Sequence, residues 1–329
     1  MRRLGEFEII DLFTRAMGGR ASGVAVGIGD DAAVLRPPPG EDLVATVDAV
    51  VEGVHFGAGF SPEDIGWKAL AVNLSDVAAM GARPLFALVA LALPRREDPR
   101  RLARVGRGLA ACARRFEVAV VGGNLTAARE LSLSVTVLGS VKRGRALLRS
   151  GARAGDLVAV SGTLGDAALG LGPAAPSALL RRQRRPTPRL ALGRRMLGIA
   201  RAAIDVSDGL VQDLGHLCSA SGLAAEVAVE RLPLSAAYRR AVRGRKNPFE
   251  AALAGGEDYE LLFALPPGRL AAARRSARAS GTRLTVIGEL LPGRGVRVVK
   301  GGGDLAVRRA GHDHLRPRGE PRFLEAAGT

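Results

Sequence analysis

Runs rich in Val and Leu, bounded by Gly or Pro, recur at 24–27, 43–51, 85–93, 118–121 and 131–141, which is the pattern of strands. Two long helical patterns lie between them. The first opens at Ser61-Pro62-Glu63-Asp64, a capping box with proline at the first helical position, and stops near Met80, with Gly81 and Pro84 just beyond. The second runs from about Asp98 to Phe116. After a basic connector at 142–153 a further set follows: strand 157–161, a helix from about Asp166, helix 189–201, strand 203–206, helix 209–220 and strand 224–229. It closes with strand 259–265, helix 268–280 and strand 284–289. Strands alternating with helices predict an α/β protein of the α+β type, with two mixed sheet-and-helix domains. The expected boundaries are 1–142 and 143–316, followed by a poorly ordered tail at 317–329. The Pro/Ala/Arg stretch 173–188 reads as a mobile loop between two helices.

Acidic residues interrupt the apolar runs in five places. These are Gly29-Asp30-Asp31-Ala32-Ala33, Thr46-Val47-Asp48, Asn73-Leu74-Ser75-Asp76, Ile204-Asp205-Val206-Ser207-Asp208-Gly209 and Gly255-Gly256-Glu257-Asp258-Tyr259-Glu260. A carboxylate among apolar neighbours is costly unless something positive meets it. The simplest partner common to all five is Mg²⁺, with nucleotide phosphates bridging the ions. Thr46 and Asp48 are two apart on a strand and share a face, and the flanking Leu43, Val44, Val47, Val50 and Val51 read as a buried strand. Asn73 and Asp76 are three apart on a helix that is otherwise apolar, so they form a polar stripe facing a site or an internal network. Asp205 and Ser207 share a strand face, while Asp208 fits either a metal site or a helix N-cap. The glycines before Glu257 suggest backbone lying close to a ligand, with a surface turn as the alternative.

Composition narrows the picture. The 329 residues suffice for two ordinary domains. The net charge of +16 invites a nucleic-acid reading, but four of the 48 basic residues are lysine (Lys68, Lys142, Lys246, Lys300) and the arginines are scattered. With aromatics at 4%, this looks like a coding preference for arginine, and neither nucleic acid nor membrane is an expected partner. No apolar run is long enough to span a bilayer and the first residues lack a signal core, so the cytoplasm is the expected compartment. Cys112 and Cys218 read as buried thiols. Phosphate-loop, protein-kinase and zinc spacings are absent from the sequence.

In this order the segments resemble thiamine-monophosphate kinases. The most specific pieces are 27–34, Val51-Glu52-Gly53-Val54-His55-Phe56, 68–82, Arg149-Ser150-Gly151-Ala152-Arg153-Ala154-Gly155-Asp156, 204–210 and 255–262. The resemblance implies synthetase-like N-terminal and C-terminal domains, shared with aminoimidazole-ribonucleotide synthetase and selenophosphate synthetase. It implies a homodimer joined through the N-terminal domains, and direct transfer of the ATP γ-phosphoryl group to the phosphate of thiamine monophosphate.

Carried over by motif, it implies Mg²⁺ ligands at Asp31, Thr46, Asp48, Asp76, Asp205 and Asp208, with Asp30 beside them. It implies nucleotide contacts at Ser207, Arg149 and Gly123, and substrate contacts at His55 and Glu257. Where many members carry Gly-Gly-Asp-Thr, this chain has Gly122-Gly123-Asn124-Leu125, so Asn124 offers a carbonyl oxygen in place of a carboxylate. Where an aromatic residue is usual near the C-terminus, His312 stands within Gly311-His312-Asp313-His314. The chemistry agrees with the pattern. Bringing two polyanions together calls for several Mg²⁺ ions, and an acceptor phosphate already ionised at neutral pH needs no general base. Two competing readings are a superfamily enzyme with another acceptor and a non-catalytic nucleotide or thiamine-phosphate binder.

Overall fold

The computed structural model of the chain describes residues 6–14, 22–172, 175–307 and 311. His312 and the expected tail lie outside the described residues. The chain divides into two compact units. The first holds the residues up to Gly144 except the turn Ala78–Gly81, which goes with Arg145 onward in the second.

In the first unit the order is α1 (Glu6–Thr14), β1 (Val24–Val26), β2 (Val34–Leu35), β3 (Glu41–Val51), α2 (Pro62–Ala79), β4 (Arg83–Pro94), α3 (Pro99–Arg115), β5 (Ala119–Ala128) and β6 (Ser132–Lys142). β1 and β2 pair as a small ribbon, and the other four strands form one sheet in the order β3-β6-β4-β5. The helix starts follow the sequence signals. Ser61 Oγ accepts from the Asp64 N–H at 3.2 Å, and the Asp98 side chain caps α3 by accepting from the Arg100 N–H at 2.9 Å. Leu102, Val105, Leu109 and Cys112 form the buried stripe of α3. α2 and α3 cross closely because Gly66 and Gly108 lie against the backbone of Val105 and Glu63, where any Cβ would collide.

β3 corrects the expectation of a buried strand. Val44 and Val50 are buried, but Leu43 and Val47 are 54% and 62% exposed. The strand is an edge, its even-numbered residues face α2, and its odd-numbered residues stand on the open face of the sheet.

The second unit continues with β7 (Leu157–Ser161), α4 (Asp166–Gly170), α5 (Ser177–Arg184), α6 (Leu190–Arg195), β8 (Ala202–Val206), α7 (Leu210–Ser221) and β9 (Leu223–Ala228). Then come α8 (Ala236–Ala241), α9 (Glu250–Ala254), β10 (Glu260–Leu265), α10 (Leu270–Ala279), β11 (Leu284–Pro292), β12 (Gly295–Lys300) and β13 (Gly303–Asp304). The seven strands form one sheet, β13-β12-β9-β11-β7-β10-β8, antiparallel except for the β12–β9 pair. Every residue of β8 and β10 is buried, so this end of the sheet is covered on both faces. Val160, Ile204, Val206, Leu214, Leu217 and Leu262 lie in its core, and both cysteines are free and buried.

The stretch read as a mobile loop is corrected by α5. Apart from residues 173 and 174, which lie outside the described residues, it contains a helix whose Leu179 and Gln183 are buried.

Candidate active site

In the first unit the polar stripe of α2 meets β3. Thr46 Oγ1 donates to Asp76 Oδ2 at 2.6 Å, and Asn73 Oδ1 accepts the Asp48 N–H at 2.9 Å. Asn73 also donates to the Ala69 carbonyl at 3.0 Å and is fully buried. Asn73 is therefore a structural member of the stripe, while Asp76 is half-buried and Asp48 exposed. Of the two roles that the sequence left open, these hydrogen bonds form the internal network.

His55 sits in the turn after β3. Its Nδ1 accepts the Val51 N–H at 3.1 Å, so in the neutral ring the proton is on Nε2. The turn is held by Lys68, a lysine with no exposed surface, whose Nζ donates to the His55 carbonyl at 3.0 Å and lies 5.4 Å from the Phe60 ring centre. Glu52 anchors the turn further by accepting from Arg101 at 2.6 Å. One signal of the Lys68 role lies in the sequence, a cation in the middle of an apolar helix.

Asp30 and Asp31 are exposed at the end of the β1–β2 ribbon, where the Asp31 N–H donates to Asp30 Oδ1 at 2.8 Å. Gly123 and Asn124 lie on β5, the opposite edge of the sheet from β3. Register carries Asp48 through Val135 and Val89 to Gly123, three strand spacings or about 14 Å. One copy of this sheet does not bring Asn124 beside Asp48.

In the second unit two loops are zipped together at the end of β8. The Glu257 N–H donates to the Ser207 carbonyl at 2.7 Å and the Tyr259 N–H to the Val206 carbonyl at 2.8 Å. This places Ser207, Asp208 and Glu257 side by side, with Asp205 buried just behind on β8. The glycines before Glu257 answer to the chain itself. A Cβ on Gly256 would stand 2.5 Å from the Ser207 carbonyl oxygen, so loop packing requires the glycine.

Asp208 is not the N-cap of α7. That position is Gly209, and the turn is organised by Asp213, whose Oδ2 accepts the N–H groups of Ser207, Asp208 and Gly209 at 3.0–3.1 Å. Burial pushes the Asp213 carboxyl up to about 7, the charge of Asp208 adds to the rise, and the three N–H donors oppose it. Gln212 holds Asp208 through a 3.0 Å hydrogen bond.

Two other acids of this segment face inward. Asp258 accepts from the N–H of Gly165 at 2.5 Å and of Ala167 at 3.3 Å, at the start of α4. Glu260 has no exposed surface and is gripped by Arg182 at 2.6 Å, by Arg189 at 2.7 and 2.5 Å, and by Ser161 at 2.5 Å. Burial works to raise the Glu260 carboxyl, but the two guanidinium groups outweigh it and hold it below its usual range. Arg149 is exposed, and its carbonyl accepts from Ser221.

Among the described residues no three His, Cys, Asp or Glu side chains are gathered as a closed metal cage. The donors present are hard oxygens in pairs, which suits Mg²⁺, an ion that keeps several waters and shares itself between one or two carboxylates and a phosphate. None of the described helices is long and apolar enough to cross a membrane.

Comparison with known proteins agrees with this architecture. Residues 29–141 match the model for the AIR synthase related protein N-terminal domain, and residues 153–301 match that for the C-terminal domain. Thiamine-monophosphate kinase of Salmonella typhimurium is 39% identical over 322 residues, covering 94% of this chain and 98% of that protein. The crystal structure of thiamine-monophosphate kinase from Stenotrophomonas maltophilia superposes with a TM-score of 0.82 at 43% identity, covering 91% of this chain and 97% of that one. A structure of AaThiL complexed with AMPPCP and TMP superposes with a TM-score of 0.73 at 36% identity, covering 91% and 95%. On both the shared residues and the shared fold, this chain belongs to the thiamine-monophosphate kinase family, within the AIR synthase related proteins.

Proposed function

We propose that this chain phosphorylates thiamine monophosphate to thiamine diphosphate, taking the γ-phosphoryl group of ATP by direct in-line transfer. The observation that carries this reading is collinear identity along nearly the whole chain with enzymes of that name, together with a relative solved with AMPPCP and TMP. The geometry supports it with hard oxygen donors set on rigid elements. Thr46, Asp48 and Asp76 are tied to β3 and α2 by the Thr46–Asp76 and Asp48–Asn73 hydrogen bonds. Asp205 and Asp208 are tied to β8 and the start of α7.

These residues, with Asp30, Asp31 and Asn124, would hold Mg²⁺, which when bound neutralises phosphate charge and lets two polyanions approach. Arg149 and Ser207, with the backbone at Gly123, would bind the nucleotide phosphates, arginine being suited to a bidentate contact. His55, with its proton on Nε2, is set as a neutral donor to the acceptor, and Glu257 stands across the paired loops from Ser207. His312 completes the substrate set from outside the described residues. No general base is required, because the attacking phosphate oxygen is already ionised.

A homodimer through the first unit is part of this proposal. Leu43, Val47 and Leu88, at 54%, 62% and 37% exposed, form an apolar stripe on the open face of the sheet, the kind of face a second copy covers. A cytoplasmic location is proposed with it. The test is product chromatography after incubation with ATP, Mg²⁺ and either thiamine monophosphate or thiamine. Thiamine diphosphate formed only from the monophosphate supports the acceptor. Consumption of ATP with neither acceptor changed would move the function elsewhere in the superfamily.

A further inference from the structure

Gln183 lies on α5, within the stretch whose sequence reads as a loop, yet it is 1% exposed. Its Nε2 donates to Glu257 Oε2 at 3.2 Å. The neighbouring Arg182 and the following Arg189 both grip Glu260. Side chains from 182–189 thus fasten both ends of the segment 257–260.

That segment needs fastening. Glu257 has φ 69° and Tyr259 has φ 49°, both in the left-handed region that non-glycine residues avoid. Such a residue persists only where its surroundings hold it. The strained backbone turns Asp258 and Glu260 into the interior and leaves Glu257 half-exposed beside Ser207. A glutamate side chain has several rotamers of comparable energy, and fixing it has an entropic cost. An amide donor is suited to the task, since it orients the carboxylate without cancelling its charge. An arginine or lysine in its place would neutralise Glu257.

We infer that Gln183 is a positioning residue for acceptor binding, holding the Glu257 carboxylate in the orientation that meets the substrate. This rests on the acceptor assignment proposed above. The charge-complementary part of thiamine monophosphate for a carboxylate is its thiazolium cation, so the Gln183–Glu257 pair would govern affinity for the acceptor and leave that for ATP alone.

Steady-state kinetics of Gln183→Met, Gln183→Glu, Glu257→Ala and the Glu257→Ala/Gln183→Met double variant test the inference. Losing a hydrogen bond to a charged group predicts a KM for thiamine monophosphate raised roughly tenfold in Gln183→Met. The KM for ATP should stay near wild type. Gln183→Glu, which sets two carboxylates together, should raise the acceptor KM further. In the Glu257→Ala background the Gln183→Met change should add nothing.

Equal changes in both KM values, or a full Gln183 effect without Glu257, would overturn the inference and leave Gln183 a packing residue. A Glu257→Ala enzyme with unchanged acceptor KM would overturn it as well, by removing what Gln183 positions. Should Gln183→Met fail to fold, Gln183→Glu and Glu257→Ala still decide. Failure of the acceptor assignment is distinguishable, because it shows in the wild-type protein as ATP bound and no thiamine diphosphate made.

Discussion

In the first unit Asp30, Asp31 and Asp48 are exposed and Asp76 is half-buried beside Thr46. In the second, Asp156, Asp166, Asp213, Asp258 and Glu260 are all at most 2% exposed, and each accepts hydrogen bonds from named donors. All are carboxylates in apolar, glycine-punctuated sequence. A carboxylate whose oxygens already accept N–H, hydroxyl or guanidinium hydrogens has little left to offer an ion, and removing it leaves buried partners without an acceptor. An accessible carboxylate on a rigid strand or helix keeps oxygens to share with Mg²⁺ and phosphate. The proposal sets Asp208, which is half-exposed, with the accessible acids, and assigns Asp205 to the same ions although it is as buried as the structural acids around it.

The sharpest way to break this division is Asp76→Asn. The asparagine keeps an acceptor for Thr46, so the melting midpoint should hold. Turnover should fall by about a hundredfold or more, the scale of losing one electrostatic stabiliser of the transferred group. An active, stable Asp76→Asn enzyme would remove Asp76 from the working set. The opposite signature is expected of Glu260→Leu, which leaves Arg182 and Arg189 buried without their carboxylate. Denaturant unfolding should show a loss of about 3–5 kcal/mol, and an unchanged midpoint would mean that the ion cluster does not hold the segment.

Asp258 sharpens the comparison through pH. Burial drives its carboxyl up to about 7 against the pull of the Gly165 N–H and Arg182. Its folded value therefore lies above its unfolded one, so the folded chain binds the extra proton, and stability falls as pH rises from about 4 to about 7. Asp258→Asn, which keeps a carbonyl acceptor for Gly165, should lessen that slope in melting curves taken across the window, the remainder coming from Asp213, whose carboxyl burial also pushes up to about 7. A variant with the same slope as wild type would place the titration elsewhere. The smallest effect belongs to Asn124→Asp, which restores a charge on an exposed strand. Activity should persist with half-saturation at lower Mg²⁺, and an unaltered Mg²⁺ dependence would put residue 124 away from any ion.

Much of the fold was legible because local chemistry and tertiary structure agree where the chain is regular. The Ser61 and Asp98 caps and the Val/Leu runs of β4 and β6 announce themselves. Less legible were the elements whose partners are remote. α5 is rich in arginine and flanked by prolines, and its helix is secured by Glu260, more than seventy residues away. β12 is a short strand that pairs parallel to β9. β3 misled for a related reason, since its valines are apolar on both faces while only one face is covered within the chain.

The acids were visible as a set, but their division was not. Asp213 and Gln183, which position Asp208 and Glu257, carry no local motif. Their roles come from hydrogen bonds that only the folded backbone creates.

The most direct test of the account is phosphorus NMR of the wild-type protein turning over ATP, Mg²⁺ and thiamine monophosphate. The account predicts that the monophosphate resonance is replaced by the paired resonances of thiamine diphosphate, in step with ADP and without inorganic phosphate. Inorganic phosphate appearing beside an unchanged thiamine monophosphate signal would contradict it.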